Sequence, residues 1–230
     1  MTPPNRINLI TASADVGSVF PGKSRAPSAL QSIGLINKLT TLGYEISIHD
    51  ALPNEPVNWT ESHIGPNAAY NEAVVVAVCQ AVKSNVTSAL ACSPANTHVP
   101  FHLILGSECL ICPAIMSALT HHMPMKRIGL LYVDVDCDLT YPNEPGSISN
   151  VVPFGLNSSS PANKRDHLGY LFNENYRVIT SSAIDLDAAG RAAEALRWLE
   201  ERVDCILVHL GVDVIDPNCF LWEMCLAGRR

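Results

Sequence analysis

The segment that decides the fold reads RIGLLYVDVDCD and runs from Arg127 to Asp138. Its first part, up to Val135, is almost entirely apolar, which is typical of a strand buried on both faces of a parallel sheet. Its end carries aspartates at every second position, namely Asp134, Asp136 and Asp138. The segment therefore predicts a buried strand that ends in a group of carboxylates.

Apolar strands and helical patterns alternate along the rest of the chain. Strands are predicted over 6–12, 45–49, 101–106, 127–135, 176–180 and 204–212, and helices over 26–42, 67–90, 112–121 and 187–202. The segment 140–161 is rich in Pro and Ser, so we expect it to be irregular. Buried strands separated by helices predict an α/β fold whose parallel sheet is covered on both faces.

The composition limits the classes of function. The 230 residues suffice for one large domain, and 47% of them are hydrophobic. A net charge of −7 and an aromatic content of 6% argue against a nucleic-acid or anionic-membrane partner. Charged residues make up only 16%, which suggests that contacts between subunits cover part of the surface. The sequence shows no signal-peptide pattern and no apolar run of membrane-spanning length, so a cytoplasmic location is expected.

Eight cysteines in such a chain are expected to be reduced thiols, most of them buried. Cys109 and Cys112 form a Cys-x-x-Cys pair between a predicted strand and a predicted helix. Three interpretations remain open for this pair: redox chemistry, metal binding through Cys109, or inert buried thiols.

Chemistry-bearing side chains follow three of the predicted strands. Glu108 and Cys109 follow the third strand, Asp134 begins the acidic group after the fourth, and Asp213 follows the last. The carboxyl ends of parallel strands meet at the edge of the sheet where ligands bind, so we expect these groups to converge. Clustered carboxylates repel one another unless a cation neutralises them. Their oxygens suit Mn²⁺ or Mg²⁺, and an added thiolate would favour Zn²⁺. For His209, on the last predicted strand, a place facing this site and a place in the core both remain open.

The order of these segments resembles the arginase/agmatinase (ureohydrolase) family over nearly the whole chain. Residues 21–30, PGKSRAPSAL, are similar to the early family motif Gly-Val-x-x-Gly-Pro-x-x-Leu-Arg. Residues 106–110 stand where the family has Gly-Gly-Asp-His-Ser. Residues 134–138 stand where it has Asp-Ala-His-x-Asp, and residues 209–217 where it has Ser-x-Asp-x-Asp-x-x-Asp-Pro.

The resemblance implies a three-layer α/β/α sandwich with a mostly parallel sheet, formed as a single domain by residues 1–230. It implies hydrolysis of guanidino or amidino C–N bonds, with two Mn²⁺ ions activating a hydroxide. The family continues beyond its Asp-Pro motif with a strand, a helix and a catalytic Glu. We therefore expect the fold of this sequence to be incomplete at the C-terminus.

The resemblance also implies a metal site with substituted ligands. The ligands that it predicts are Asp134, Asp136, Asp138, Asp213 and Cys109. Asp136 and Cys109 replace the two family histidines, and the other three match family aspartates. Gly211 stands where the family has an aspartate that bridges both metals, and a glycine offers no ligand atom. We expect one or two Mn²⁺ ions, a single ion being easier to hold, or Zn²⁺ if Cys109 is a ligand.

The substrate positions differ from the family as well. Thr140 and Asn150 lie in the segments that match the family's substrate loops, and Ser160 replaces an acid that faces the substrate. These three residues are the predicted substrate-binding residues, and the proton-shuttle His of the family is missing, so no catalytic residue is assigned. Two hypotheses remain open. One is a homo-oligomeric, metal-dependent hydrolase of a C–N bond in a guanidino, amidino or amide small molecule. The other is a catalytically inactive binding or assembly subunit.

Overall fold

The computed structural model describes residues 5–18, 21–52, 57–58, 60, 70–92, 100–136, 150–160, 163, 165–174 and 176–215. The chain divides into two units, residues 1–124 and residues 125–230. Each unit is built on its own parallel sheet with helices next to it.

The first unit contains a three-stranded parallel sheet in the order β2-β1-β3. Its strands are β1 (Arg6–Thr11), β2 (Glu45–Asp50) and β3 (Phe101–Leu105), and its helices are α1 (Ala26–Ser32), α2 (Leu35–Thr41), α3 (Glu72–Ala91) and α4 (Ile111–His122). Leu9 and Ile10 in β1 point to opposite faces of the sheet, and both are fully buried. Both faces of this central strand are therefore covered, as the apolar pattern predicts.

One predicted helix, 26–42, is two helices in the structure. Gly34 lies between α1 and α2 with a φ of 85°, a left-handed conformation that glycine adopts without steric cost. Its N–H donates to the Gln31 carbonyl at 2.9 Å and closes α1. The apolar periodicity continues across this break, so it could not show that the helix ends there.

The helix α3 is long and apolar enough to cross a membrane, judged by length and composition only. That is weak evidence, because a helix in the core of a soluble protein passes the same test. Val78, Val82, Val86 and Leu90 are buried at a spacing of four residues, which is the apolar stripe of a helix with one covered side. This helix packs against α4.

The second unit contains a four-stranded parallel sheet in the order β6-β5-β4-β7. Its strands are β4 (Ile128–Val133), β5 (Val151–Leu156), β6 (Ile179–Thr180) and β7 (Cys205–Leu210), and its helices are α5 (Arg165–Asn173), α6 (Ser181–Leu186) and α7 (Ala188–Glu200). One group of buried apolar residues lies between β5, β6 and α7, and it comprises Val152, Ile179, Ala195, Leu199 and Val203. This core holds β4 and β5 in place at the centre of the sheet.

The prediction of an irregular segment at 140–161 is wrong for its last part, because β5 occupies Val151–Leu156. Pro153 and Gly155 lie inside this strand and hide it from a pattern search, since both residues are depleted in strands. Gly155 has a φ of 96°, and the pairing with β6 shifts register between Phe154 and Leu156. The sequence therefore missed the strand that pairs with the acidic strand β4.

We expect Leu199→Ala to lower the free energy of unfolding by about 2–5 kcal/mol, because it empties a fully buried site between α7 and the sheet. Leu196 lies on the same helix but is 39% exposed, so Leu196→Ala is the matched control and should cost less than about 1 kcal/mol. Urea unfolding followed by circular dichroism measures both. Equal losses in the two variants would contradict this packing.

Candidate metal centre

The ends of β4 and β7 lie side by side because these strands pair in parallel. Val133 is opposite Leu210, and the N–H of Gly211 donates to the carbonyl of Val133 at 2.8 Å. Asp134 follows β4 directly, and Asp213 follows β7 in a short 3-10 helix, Val212–Val214. The register of one strand pair therefore brings two predicted ligands to the same edge of the sheet.

The carboxylate of Asp134 is almost completely buried, with a relative exposure of 2%. Its Oδ1 accepts the backbone N–H of Asp136 at 3.0 Å. Its own N–H donates to the Phe154 carbonyl at 3.1 Å, which ties it to the unpredicted strand β5. With Oδ1 engaged in this way, Oδ2 is the oxygen that faces β7.

Gly211 lies directly against the carboxylates of Asp134 and Asp213. A Cβ atom at this position would come under 3.0 Å from both Asp134 Oδ2 and Asp213 Oδ1, so these oxygens lie within twice that distance of each other. The φ of Gly211 is −73°, which any residue can adopt. Space, and not backbone conformation, is what requires a glycine here.

A network of hydrogen bonds fixes the turn after β4. Ser160 Oγ donates to Asp136 Oδ1 at 2.6 Å. Asn163 Nδ2 donates to the carbonyls of Val135 at 2.9 Å and Asn157 at 2.8 Å. The predicted substrate residue Ser160 is thus the partner of the predicted ligand Asp136. No motif in the sequence marks Asn163, because its role comes from an amide that reaches two carbonyls in the folded chain.

His209 faces the site from β7. Its ring stacks on Tyr132 of β4, with centroids 4.4 Å apart and planes 6° from parallel. Its Nε2 lies 3.7 Å from Asp134 Oδ2. Of the two places that the sequence left open for this residue, the structure favours the one beside the carboxylates.

Other predicted residues are placed elsewhere or lie outside the described residues. Asn150 precedes β5, where its carbonyl accepts the N–H of Leu130 at 2.8 Å. The Phe154 carbonyl that binds Asp134 is four residues further along this strand, about 13 Å away. The structure therefore does not bring Asn150 to the carboxylates. Asp138 and Thr140 lie outside the described residues.

Cys109 and its neighbours follow β3 in the first unit. Glu108 Oε2 accepts the N–H of Gly17 at 2.9 Å. Burial raises the pKa of Glu108, and this hydrogen bond partly opposes the shift. Burial also raises the pKa of the Cys112 thiol to about 11. A thiol with so high a pKa is a poor nucleophile at neutral pH, so Cys112 by itself behaves as an inert buried thiol. The three interpretations of the pair depend on Cys109 and stay open.

Comparison with known proteins shows which proteins this chain is similar to. No protein-family model matches the chain. An arginase of Staphylococcus aureus strain COL is 23% identical over an alignment of 247 positions, gaps included. The alignment covers 94% of this chain and 78% of that protein. The chain is therefore similar in sequence to arginases over most of its length.

Solved structures of arginases and their relatives share the fold of this arginase relative. Entamoeba histolytica arginase in complex with L-ornithine matches with a TM-score of 0.76 at 16% identity, over 94% of this chain and 78% of that one. Formimidoylglutamase of Bacillus subtilis matches with a TM-score of 0.66 at 15% identity, over 95% and 68%. The prediction of an arginase-like α/β sandwich is therefore confirmed as the fold class.

In this arginase relative we expect Gly211→Ala to lower the free energy of unfolding by about 1–3 kcal/mol, because the new methyl group collides with two carboxylates. Gly169 in α5 has nothing within 4 Å of a built Cβ, so Gly169→Ala is the control and should be neutral or stabilising. Chemical unfolding of the metal-free protein measures both. A Gly211→Ala variant as stable as the wild type would contradict the close approach.

For the cysteine pair we expect iodoacetamide at pH 8 to label the exposed Cys92 and to spare Cys112. With a pKa of about 11, only about one thiol in a thousand is a thiolate at that pH, and the thiolate is the nucleophile. Mass spectrometry of the digested native protein measures the labelling of each peptide. Equally fast labelling of Cys112 would contradict a buried, protonated thiol at this position.

Proposed function

We propose that this arginase relative is a metal-dependent hydrolase that cleaves a C–N bond in a small molecule. The observation that supports the proposal is the convergence of Asp134 and Asp213 on the space beside Gly211. Two carboxylates at such a distance in a largely buried place repel each other, and a divalent cation between them removes the repulsion.

The described residues fit a cation of this kind. Asp134 and Asp213 face each other, and Asp136 is oriented by Ser160. Carboxylate oxygens are the ligands that Mn²⁺ prefers. Two further ligands remain predictions from the sequence. Cys109 lies in the first unit, and Asp138 lies outside the described residues. We propose one or two Mn²⁺ ions, or Zn²⁺ if Cys109 contributes its thiolate.

A divalent cation held by Asp134 and Asp213 would supply an activated water and would polarise the carbon of the scissile bond. Hydrolysis then forms a bond between the water oxygen and that carbon, while the nitrogen leaves with a proton as an amine. The role of the chain's own residues is to hold the cation and to orient its ligands. The carboxylates fix the position of the cation, and the hydrogen bond from Ser160 fixes the direction of Asp136.

The substrate class follows from the relatives. Proteins named arginase and formimidoylglutamase share this fold, so we propose a small molecule with a guanidino, amidino or amide group. Arginine itself is disfavoured, because Ser158 and Ser160 replace acids that face the substrate in the family. Thr140 and Asn150 stay predicted substrate residues, and the position of Asn150 gives it the least support. A single domain, a homo-oligomer and a cytoplasmic location stay predictions as well.

We expect Asp134→Ala to lose the bound metal and to lower hydrolysis at least about 100-fold, because it removes the most buried of the predicted ligands that the structure describes. Asp204 is an exposed carboxylate at the other end of β7, and Asp204→Ala is the matched control that should keep both. Elemental analysis after loading with Mn²⁺ and desalting gives the metal per chain. Release of ammonia or urea from a panel of guanidino, amidino and amide compounds gives the activity.

Full metal content and full activity in Asp134→Ala would contradict the proposal. A wild-type protein without bound metal and without hydrolysis of any compound in the panel would favour the other hypothesis, an inactive binding or assembly subunit.

A further inference from the structure

The side chain of His209 is largely buried, and its Nε2 has no hydrogen-bond partner within the described part of the chain. Stacking on Tyr132 fixes the plane of the ring. Buried polar nitrogens without a partner are rare in proteins, and each one calls for an explanation such as a bound ion. The side chain is 16% exposed, so water reaches little of it.

The spacing of His209 and Asp134 matches two ligands of one cation. Nε2 and Oδ2 are 3.7 Å apart, which is too long for a good hydrogen bond. Two ligand atoms that are each about 2.1 Å from a tetrahedral cation lie about 3.4 Å from each other. Asp213 Oδ1 approaches the same Asp134 oxygen from across Gly211, so a third ligand atom is available on that side.

We infer that His209 is a ligand of the cation in this site, together with Asp134 and Asp213, and that its imidazole shifts the metal preference from Mn²⁺ toward Zn²⁺. The inference rests on the proposed function, since it concerns the same cation. Carboxylates alone suit Mn²⁺, whereas an imidazole nitrogen suits Zn²⁺. Gly211 stands where the family has a carboxylate ligand and offers no ligand atom. His209, two residues earlier, would supply a nitrogen ligand instead.

A purely structural role would give a different result. As an imidazolium ion beside Asp134, His209 would neutralise one negative charge and would repel a cation. In that case a bound metal would have no imidazole among its neighbours, and removal of His209 would leave metal binding unchanged or strengthen it.

The test uses His209→Phe, which keeps an aromatic ring on Tyr132 but has no ligand atom. His102→Phe is the control, because His102 is also a partly buried strand histidine whose two ring nitrogens lack hydrogen-bond partners among the described residues. Zinc affinity is measured by competition with a chromophoric chelator, and manganese affinity by the electron paramagnetic resonance signal of the free ion. X-ray absorption at the zinc edge counts the imidazoles bound to the metal.

We expect an imidazole signal in the wild type and in His102→Phe, and its loss in His209→Phe. We also expect His209→Phe to lower zinc affinity at least about tenfold and to lower manganese affinity less. If His209→Phe is not folded by circular dichroism, His209→Gln, which is smaller and polar, serves the same comparison. Unchanged zinc affinity together with an unchanged zinc-edge spectrum would overturn the inference and leave the proposed function standing. A wild type that binds neither metal would overturn both.

Discussion

The pairing of β4 with β7 is the constraint on which the candidate site depends. Because Val133 lies opposite Leu210, the residues that follow the two strands must emerge next to each other. A slip of one residue in a strand turns its side chains to the opposite face of the sheet. Asp134 would then no longer lie next to Asp213. It would also no longer lie next to His209, which is part of β7 itself. The chemistry that this site can perform is therefore set by a backbone register.

The carboxylate oxygens at this edge of the sheet differ in their surroundings. Asp134 Oδ1 accepts a hydrogen bond from the backbone N–H of Asp136, and Asp136 Oδ1 accepts one from the hydroxyl of Ser160. The opposite oxygen of Asp134 instead faces the side of His209 and Asp213. This division explains why the turn after β4 is ordered by the chain itself, while the space beside Gly211 still concentrates negative charge. A site that binds a cation needs both features, because its ligands must be held in place and must present negative charge to the ion.

The sequence predicted the strands that precede the carboxylates, since β3, β4 and β7 are largely apolar runs whose ends are easily recognised. It could not predict β5, because Pro153 and Gly155 interrupt the pattern while tertiary pairing with β4 still forms the strand. The same omission hid the position of Asn150, which the structure places at the amino end of β5. The direction of His209 was also beyond the sequence, because alternation along a buried strand does not say which face holds a ligand.

The closeness of Asp134 and Asp213 has an evolutionary consequence. Codons for glycine and aspartate can differ at a single base, so mutation could readily place an aspartate at position 211. The two carboxylates occupy the space that such a side chain needs. A protein with that substitution would lose stability at once, because the new side chain would collide with both of them. The close approach of these carboxylates would therefore act against any larger residue at position 211.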